Sequence, residues 1–303
     1  MRYPRETTKR RVRGRLARAV AVFALLPLAA CTSASGDKPA AMVPRGEEPG
    51  RVTVATWNIC GPDRWGGCPG TGSPTDKARQ LRKLAEDRGV RVMLLQEVCS
   101  DDLRATAKRM GPDWHSTFEP YIQAATSGER NPVRCEGQGS GEAGIGLLAA
   151  SPLENVQVID VQQPATGIQR AFMCADLPAL AIRACNAHVM LPANAARPEQ
   201  EMRGSQLRTL VEASDKRTVF GGDFNSKPPV DRSTAWIWPA EAYTVYQECD
   251  QLGEKRTGRP THKGGVKLDY LFTAMPRLGC DTFETRYSDH QPLVMQISTA
   301  GGR

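Results

Sequence analysis

The chain has 303 residues, enough for one large domain or two small ones, and a formal net charge of +7. Residues 1–30 hold eight basic residues and one acid, which accounts for the whole excess, so the remainder is neutral. The basic balance is therefore no argument for a nucleic-acid surface. Nor do the nine cysteines form a CxxC pair or a Cys/His cluster of the kind that binds zinc.

In chain order, the basic stretch is followed by the apolar run "AVAVFALLPLAA", too short to span a bilayer as a helix, and by "LAAC" at 28–31. A basic region, a short apolar run and small residues before a cut are signal-peptide features. "LAAC" also resembles a bacterial lipobox, which would make Cys31 the lipidated first residue of the mature protein; ordinary secretory cleavage nearby is the competing reading. Residues 1–31 are thus expected to be an export signal with lipobox, and 32–50, polar and rich in Pro and Gly, a flexible tether. With no internal repeat and no second linker, 51–303 is expected to be one domain. The expected location is extracellular or cell-surface, anchored to a bacterial membrane.

Within the domain, strand patterns occur at "RVTVATWNI", "VRVMLLQEV", "GIGLLAA", "QRAFMCADL", "LAIRACNAHV", "TVFGGDF", "LDYLF" and "QPLVMQIS". Helical spacing appears in "DKARQLRKLAEDRG", with apolar positions 78, 81, 84 and 85 and Gly89 as the stop. "SDDLRATAKRMG" reads as a second helix, capped by Ser100 and ended by Gly111. "RPEQEMRGSQLRTLVEASD" reads as a third. A hairpin turning at Pro178–Ala181 sits among these units, so mixed sheets covered by helices are expected. The aromatic segment "STAWIWPAEAYTVYQ" reads as a buried helix or as a stacking surface for substrate.

Once Cys31 is set aside, eight cysteines remain, an even number in an exported protein, so up to four disulfides are expected. Cys60 and Cys68 bracket a glycine-rich loop, and Cys174 and Cys185 face each other across the expected hairpin. Cys99, Cys135, Cys249 and Cys280 receive no pairing from the sequence.

Polar residues collect at strand ends: Asn58, Glu97, His188, Asp223 with Asn225, Asp269, and Asp289 with His290. If the strand stays extended, Asp223 and Asn225 aim at one point, as i and i+2 do; a plain strand-end turn is the other reading. The ordered set "WN", "QE", "NAH", "GDFN", "LDY" and "SDH" resembles the endonuclease/exonuclease/phosphatase superfamily, the deoxyribonuclease I-like fold, over roughly residues 51–298. The resemblance implies a four-layer α/β sandwich, two packed mixed β-sheets with outer helices, and an active site at one end of the sheets.

By the same resemblance, Glu97, Asp289 and Asn58 would form the metal site, and Asp223 and Asn225 would contact the scissile phosphate and its nucleophile. Asp269 would orient His290, and His188 would be the histidine of the nuclease, sphingomyelinase and phosphatase branches. Mg²⁺ is the expected cofactor, with Mn²⁺ or Ca²⁺ as alternatives: a hard cation takes carboxylate and phosphate oxygens. Arg170 is a candidate phosphate clamp, or else an exposed ion-pairing arginine. Glu142 could orient His188, or be a loop carboxylate. His115 and His262 stay outside the catalytic set, although "THKGGVKLDY" brings His262 close to the site in sequence. The expected function is metal-dependent phosphodiester hydrolysis by a monomer with no protein partner, on DNA or RNA. The alternatives are a phospholipase-C-like (sphingomyelinase-type) phosphodiesterase or inositol-phosphate phosphatase, and, behind these, a catalytically silent binding module.

Overall fold

The computed structural model describes residues 49–191, 197–230 and 235–300. The export signal with Cys31 and nearly all of the tether lie outside the described residues. The elements run in order β1 (Arg51–Asn58), α1 (Pro74–Arg88), β2 (Val92–Cys99), α2 (Ser100–Met110), β3 (His115–Pro120), β4 (Ile122–Ala124), β5 (Arg130–Pro132), β6 (Ala143–Ala149), β7 (Glu154–Val158), β8 (Gly167–Gln169), β9 (Phe172–Leu177), β10 (Ile182–His188), α3 (Arg197–Glu212), β11 (Thr218–Asp223), β12 (Gln247–Glu248), β13 (Asp269–Thr273), β14 (Arg277–Thr282) and β15 (Leu293–Ser298).

Two six-stranded sheets form the frame, ordered β14-β15-β1-β2-β6-β3 and β12-β13-β11-β10-β9-β7. Each is mixed for the same reason. β1 and β2 are parallel neighbours joined through α1, and β10 and β11 are parallel neighbours joined through α3, while the other pairings are antiparallel. A parallel pair needs a crossover, and each crossover helix covers the outer face of its sheet.

The pleat then sorts the side chains. Val52 and Val54 of β1 join Val92, Leu94, Ala184, Val219 and Leu271 in the apolar layer between the sheets. Ala55 and Trp57 face the other way, with Leu81 and Leu84 of α1. Phe220, Tyr270 and Phe272 pack with Leu207 and Leu210 of α3. The result is the expected four-layer sandwich. A small sheet, β5-β4-β8, flanks it.

Local chemistry explains the helix ends. Ser73 caps α1 in a reciprocal box with Asp76, Pro74 stands in the first turn, and Gly89 closes the helix at φ 63°. Ser100 does not cap α2. The cap position is Cys99, and the Ser100 hydroxyl accepts the Glu142 N–H instead. The aromatic segment, described from residue 235 on, is mostly buried: Ile237, Trp238, Tyr243 and Tyr246 cover the second sheet, and Glu241–Thr244 forms a short helix. The hairpin turns at Pro178–Ala181 as expected, setting Cys174 opposite Cys185. Both anticipated disulfides are present, and the other four cysteines pair as Cys99–Cys135 and Cys249–Cys280.

Candidate active site

The inward-facing positions of the central strands change from apolar to polar toward one end of the sandwich. Gln96 donates to Thr56 (3.0 Å) and to Asn186 (2.7 Å), and Asn186 donates to the Leu95 and Gly146 carbonyls. This buried, hydrogen-bonded layer ties the two sheets together directly below the site. One pleat further along stand Asn58, His188, Asp223 and Asp269.

Asp223 is the centre, with 1 % of its surface exposed. Its Oδ2 accepts from Asn58 Nδ2 at 3.2 Å and lies 3.4 Å from His188 Nε2 and 3.7 Å from His290 Nε2. Its Oδ1 accepts the Asn225 N–H at 2.9 Å. That last bond corrects the extended reading: the chain turns at Asn225 (φ 48°), and the Asn225 amide donates to the Val189 carbonyl. Asp223 and Asn225 share the cleft through an Asx-type turn, not through strand alternation. Burial pushes the Asp223 carboxyl up; the His290 cation opposes this and Asp269 reinforces it, leaving the pKa at about 7.

His290 Nδ1 lies 2.8 Å from Asp269 Oδ2. Burial disfavours its charge, but the Asp269 and Asp223 carboxylates outweigh that and raise its pKa to about 10. His188 is fully buried, and burial, with the Arg170 and His290 cations, keeps it neutral, well below the usual histidine range. Its Nδ1 is 2.7 Å from the Tyr121 hydroxyl. The Tyr121 oxygen accepts the Glu97 N–H and keeps its own hydrogen for His188 Nδ1; with Nε2 facing the Asp223 carboxyl at 3.4 Å, this arrangement presents Nε2–H to the cleft. Tyr121, which no pattern in the sequence marks, is therefore the residue that orients His188. Glu142 has no hydrogen bond or ion pair to His188 among the described residues, where His188 meets Tyr121 and Asp223 instead.

Glu97 sits on a bulge. The β2–β6 register jumps from Leu95↔Gly146 to Val98↔Gly144, which sets two residues against one, and Glu97 adopts φ 50°. Gly61 N–H to the Glu97 carbonyl (2.7 Å) and the Tyr121 contact hold this left-handed residue. The bulge turns the Glu97 side chain into the cleft. Arg170 Nη1 lies 3.8 Å from Glu97 Oε1, and its guanidinium packs over the rings of Tyr121 (4.7 Å) and Trp65 (5.7 Å). Arg170 is buried, not an exposed ion-pairing residue.

The cleft has a volume of about 570 Å³. Asn58, Glu97, Arg170, His188, Asp223, Asn225, Asp289 and His290 all line it, so the structure brings the sequence-derived set together, with Asp269 one layer behind. Trp65 and His262 line it as well. The carboxylates of Glu97 and Asp289 on its wall suit a hard divalent cation, and Asp289 also belongs to an Asp/His grouping of metal-binding type with His262 and His290. A second apparent cluster, Cys60, Cys68 and Asp289, is no ligand set, because those sulfurs are joined in a disulfide.

The fold has solved counterparts. An endonuclease/exonuclease/phosphatase from Beutenbergia cavernae superposes with TM-score 0.59 at 18% identity, covering 82% of this chain and 71% of that one. A humanized TDP2 of D. rerio gives 0.57 at 16%, covering 82% and 99%. The 3'-5' exonuclease NExo from Neisseria meningitidis gives 0.54 at 15%, covering 82% and 100%. At such identities the likeness is one of fold. No curated protein matches the chain. The endonuclease/exonuclease/phosphatase family model matches residues 55–290. With the match spanning most of the chain and the polar set gathered at one end of a four-layer sandwich, the protein belongs to the endonuclease/exonuclease/phosphatase family.

Proposed function

We propose that the protein is an exported, Mg²⁺-dependent phosphodiesterase that cleaves nucleic acid. One observation carries the phosphoester part. His188 Nε2 and Arg170 Nη1 are buried nitrogen atoms with no hydrogen-bond partner among the described residues, their nearest carboxylate oxygens being Asp223 Oδ2 at 3.4 Å and Glu97 Oε1 at 3.8 Å, and both residues line the cleft around Asp223. Unpaired buried donors call for an acceptor, and a phosphoryl group supplies several.

Glu97 and Asp289, with Asn58 beside them, would hold Mg²⁺, which when bound neutralises charge building on the phosphoryl oxygens. The chain's own residues divide the remaining work. His290, kept cationic by Asp269, donates to a phosphoryl oxygen. Asp223, with a pKa near neutrality, accepts a proton from the attacking water as that oxygen bonds to phosphorus and the bond to the leaving oxygen breaks. His188, fixed as an Nε2–H donor, stands on the leaving-group side, and solvent supplies the proton the leaving oxygen takes up. In this reading the base is the carboxylate that both histidines face.

The nucleic-acid preference rests on Trp65 and Arg170, which line the cleft as planar groups against which a base can stack, backed by the buried Tyr121 ring. It is supported by a structural neighbour, a D. rerio TDP2 complexed with single strand DNA product. The test is turnover by the full chain, with and without EDTA, on plasmid DNA, RNA, sphingomyelin and phosphorylated inositols. DNA or RNA cleavage that EDTA abolishes, and that falls by on the order of 10²–10⁴ in His188→Ala, is the expected result. Activity confined to sphingomyelin or inositol phosphates would replace the nuclease reading, and inactivity on all four would remove the enzymatic one.

A further inference from the structure

Resting on the metal-dependent reading above, we propose that His262 is the positioning residue of Asp289, holding its carboxylate in place for the divalent cation. His262 is stitched to the Asp289–His290 segment by backbone. It bridges His290, Lys263 N–H bonds the Asp289 carbonyl (2.8 Å), and Gln291 N–H bonds the Thr261 carbonyl (2.6 Å). Its ring packs edge-on against that of His290, with centroids 4.8 Å apart.

The ring's orientation is set by the glycines that follow. His262 Nδ1 accepts the Gly264 N–H at 2.9 Å, which leaves Nε2 as the ring nitrogen free to donate. That Nε2 lies 3.5 Å from Asp289 Oδ2. A Cβ on Gly264 would sit 2.9 Å from His262 Nδ1, so this close approach requires glycine. The same oxygen is confined by a second neighbour, because a Cβ on Gly67 would lie 2.1 Å from Asp289 Oδ2. The carboxylate is thus held by a braced imidazole and the backbone of the Cys60–Cys68 loop. With Nδ1 engaged by the Gly264 N–H and Nε2 turned toward the Asp289 carboxylate, His262 is placed to brace that carboxylate. It acts through Asp289, as outer partners of metal-bound carboxylates do.

Mn²⁺ binding to the full, disulfide-intact chain, followed by calorimetry and electron paramagnetic resonance, tests this without reference to turnover. His262→Ala is expected to weaken Mn²⁺ affinity about 10- to 100-fold. Gly264→Ala should weaken it in the same direction while keeping the imidazole. His262→Gln, whose amide N–H reaches nearly the same point, should recover most of the loss. Melting temperature, measured in parallel, should not track this order. Unchanged affinity in His262→Ala, in a protein whose Glu97→Gln variant does lose Mn²⁺, overturns the His262 role and leaves the metal reading intact. Unchanged affinity in Glu97→Gln removes both. A directly coordinated nitrogen in the Mn²⁺ spectrum that vanishes in His262→Ala would make His262 a ligand and overturn the positioning role.

Discussion

Asp269→Asn tests the electrostatic design of the site most directly. Asp269 is fully buried, and its Oδ2 lies 2.8 Å from His290 Nδ1. The substitution keeps size and shape but removes the principal charge that lifts His290 from 6.5 to about 10. At pH 8 a histidine with a pKa of 10 is almost wholly cationic, whereas one at 6.5 is cationic in about 3 % of molecules. If the imidazolium binds the phosphoryl group, the variant loses a factor of about 25 relative to the parent between pH 6 and pH 8, a range over which the parent's own rate rises as Asp223, with its pKa of about 7, gives up its proton. The stability consequence has a definite sign. A raised histidine pKa stabilises the fold fully below 6.5, and that contribution disappears as pH rises through about 10. Asp269→Asn should therefore cost about 3–5 kcal/mol near pH 6 and progressively less toward pH 10. The assay is kcat/KM against pH with urea unfolding at pH 6 and 9. A folded variant with the parental alkaline profile would refute the reasoning.

Other substitutions probe the supports. Tyr121→Phe removes the hydroxyl that links the Glu97 N–H to His188 Nδ1; kcat should fall about 10-fold or more for a stability loss of about 1–3 kcal/mol, and an unchanged kcat would show that His188 does not depend on Tyr121. Replacing Cys99 and Cys135 by serine opens a loop of sequence separation 36, worth about 4 kcal/mol on loop-entropy grounds; calorimetry should show melting roughly 10 °C lower, and a shift under 2 °C would count against it. Cys31→Ser should move the protein from the membrane fraction to the soluble one, and a parent protein that is already soluble would exclude the lipid anchor.

Much of this molecule was legible in the linear chain because its signals are local. Strand alternation, the Pro178–Ala181 turn and Gly89 depend on neighbours a few residues away, so the eight main strands, the crossover helices and the two short-range disulfides follow from periodicity and spacing. Asn58, Glu97, His188, Asp223, Asp269 and His290 were visible because residues at the ends of adjacent strands must meet once those strands pair. Tertiary structure decided whatever depends on long separations or on a broken period. Tyr121 reaches His188 across 67 residues of chain, from a segment with no distinctive pattern. Cys99–Cys135 and Cys249–Cys280 span loops whose paths spacing does not determine. The bulge that turns Glu97 inward and the turn at Asn225 both break the alternation on which a sequence reading relies. His262 gains its contact with Asp289 only because two loops joined by no local sequence signal pack side by side. Periodicity assigns faces; only packing assigns partners.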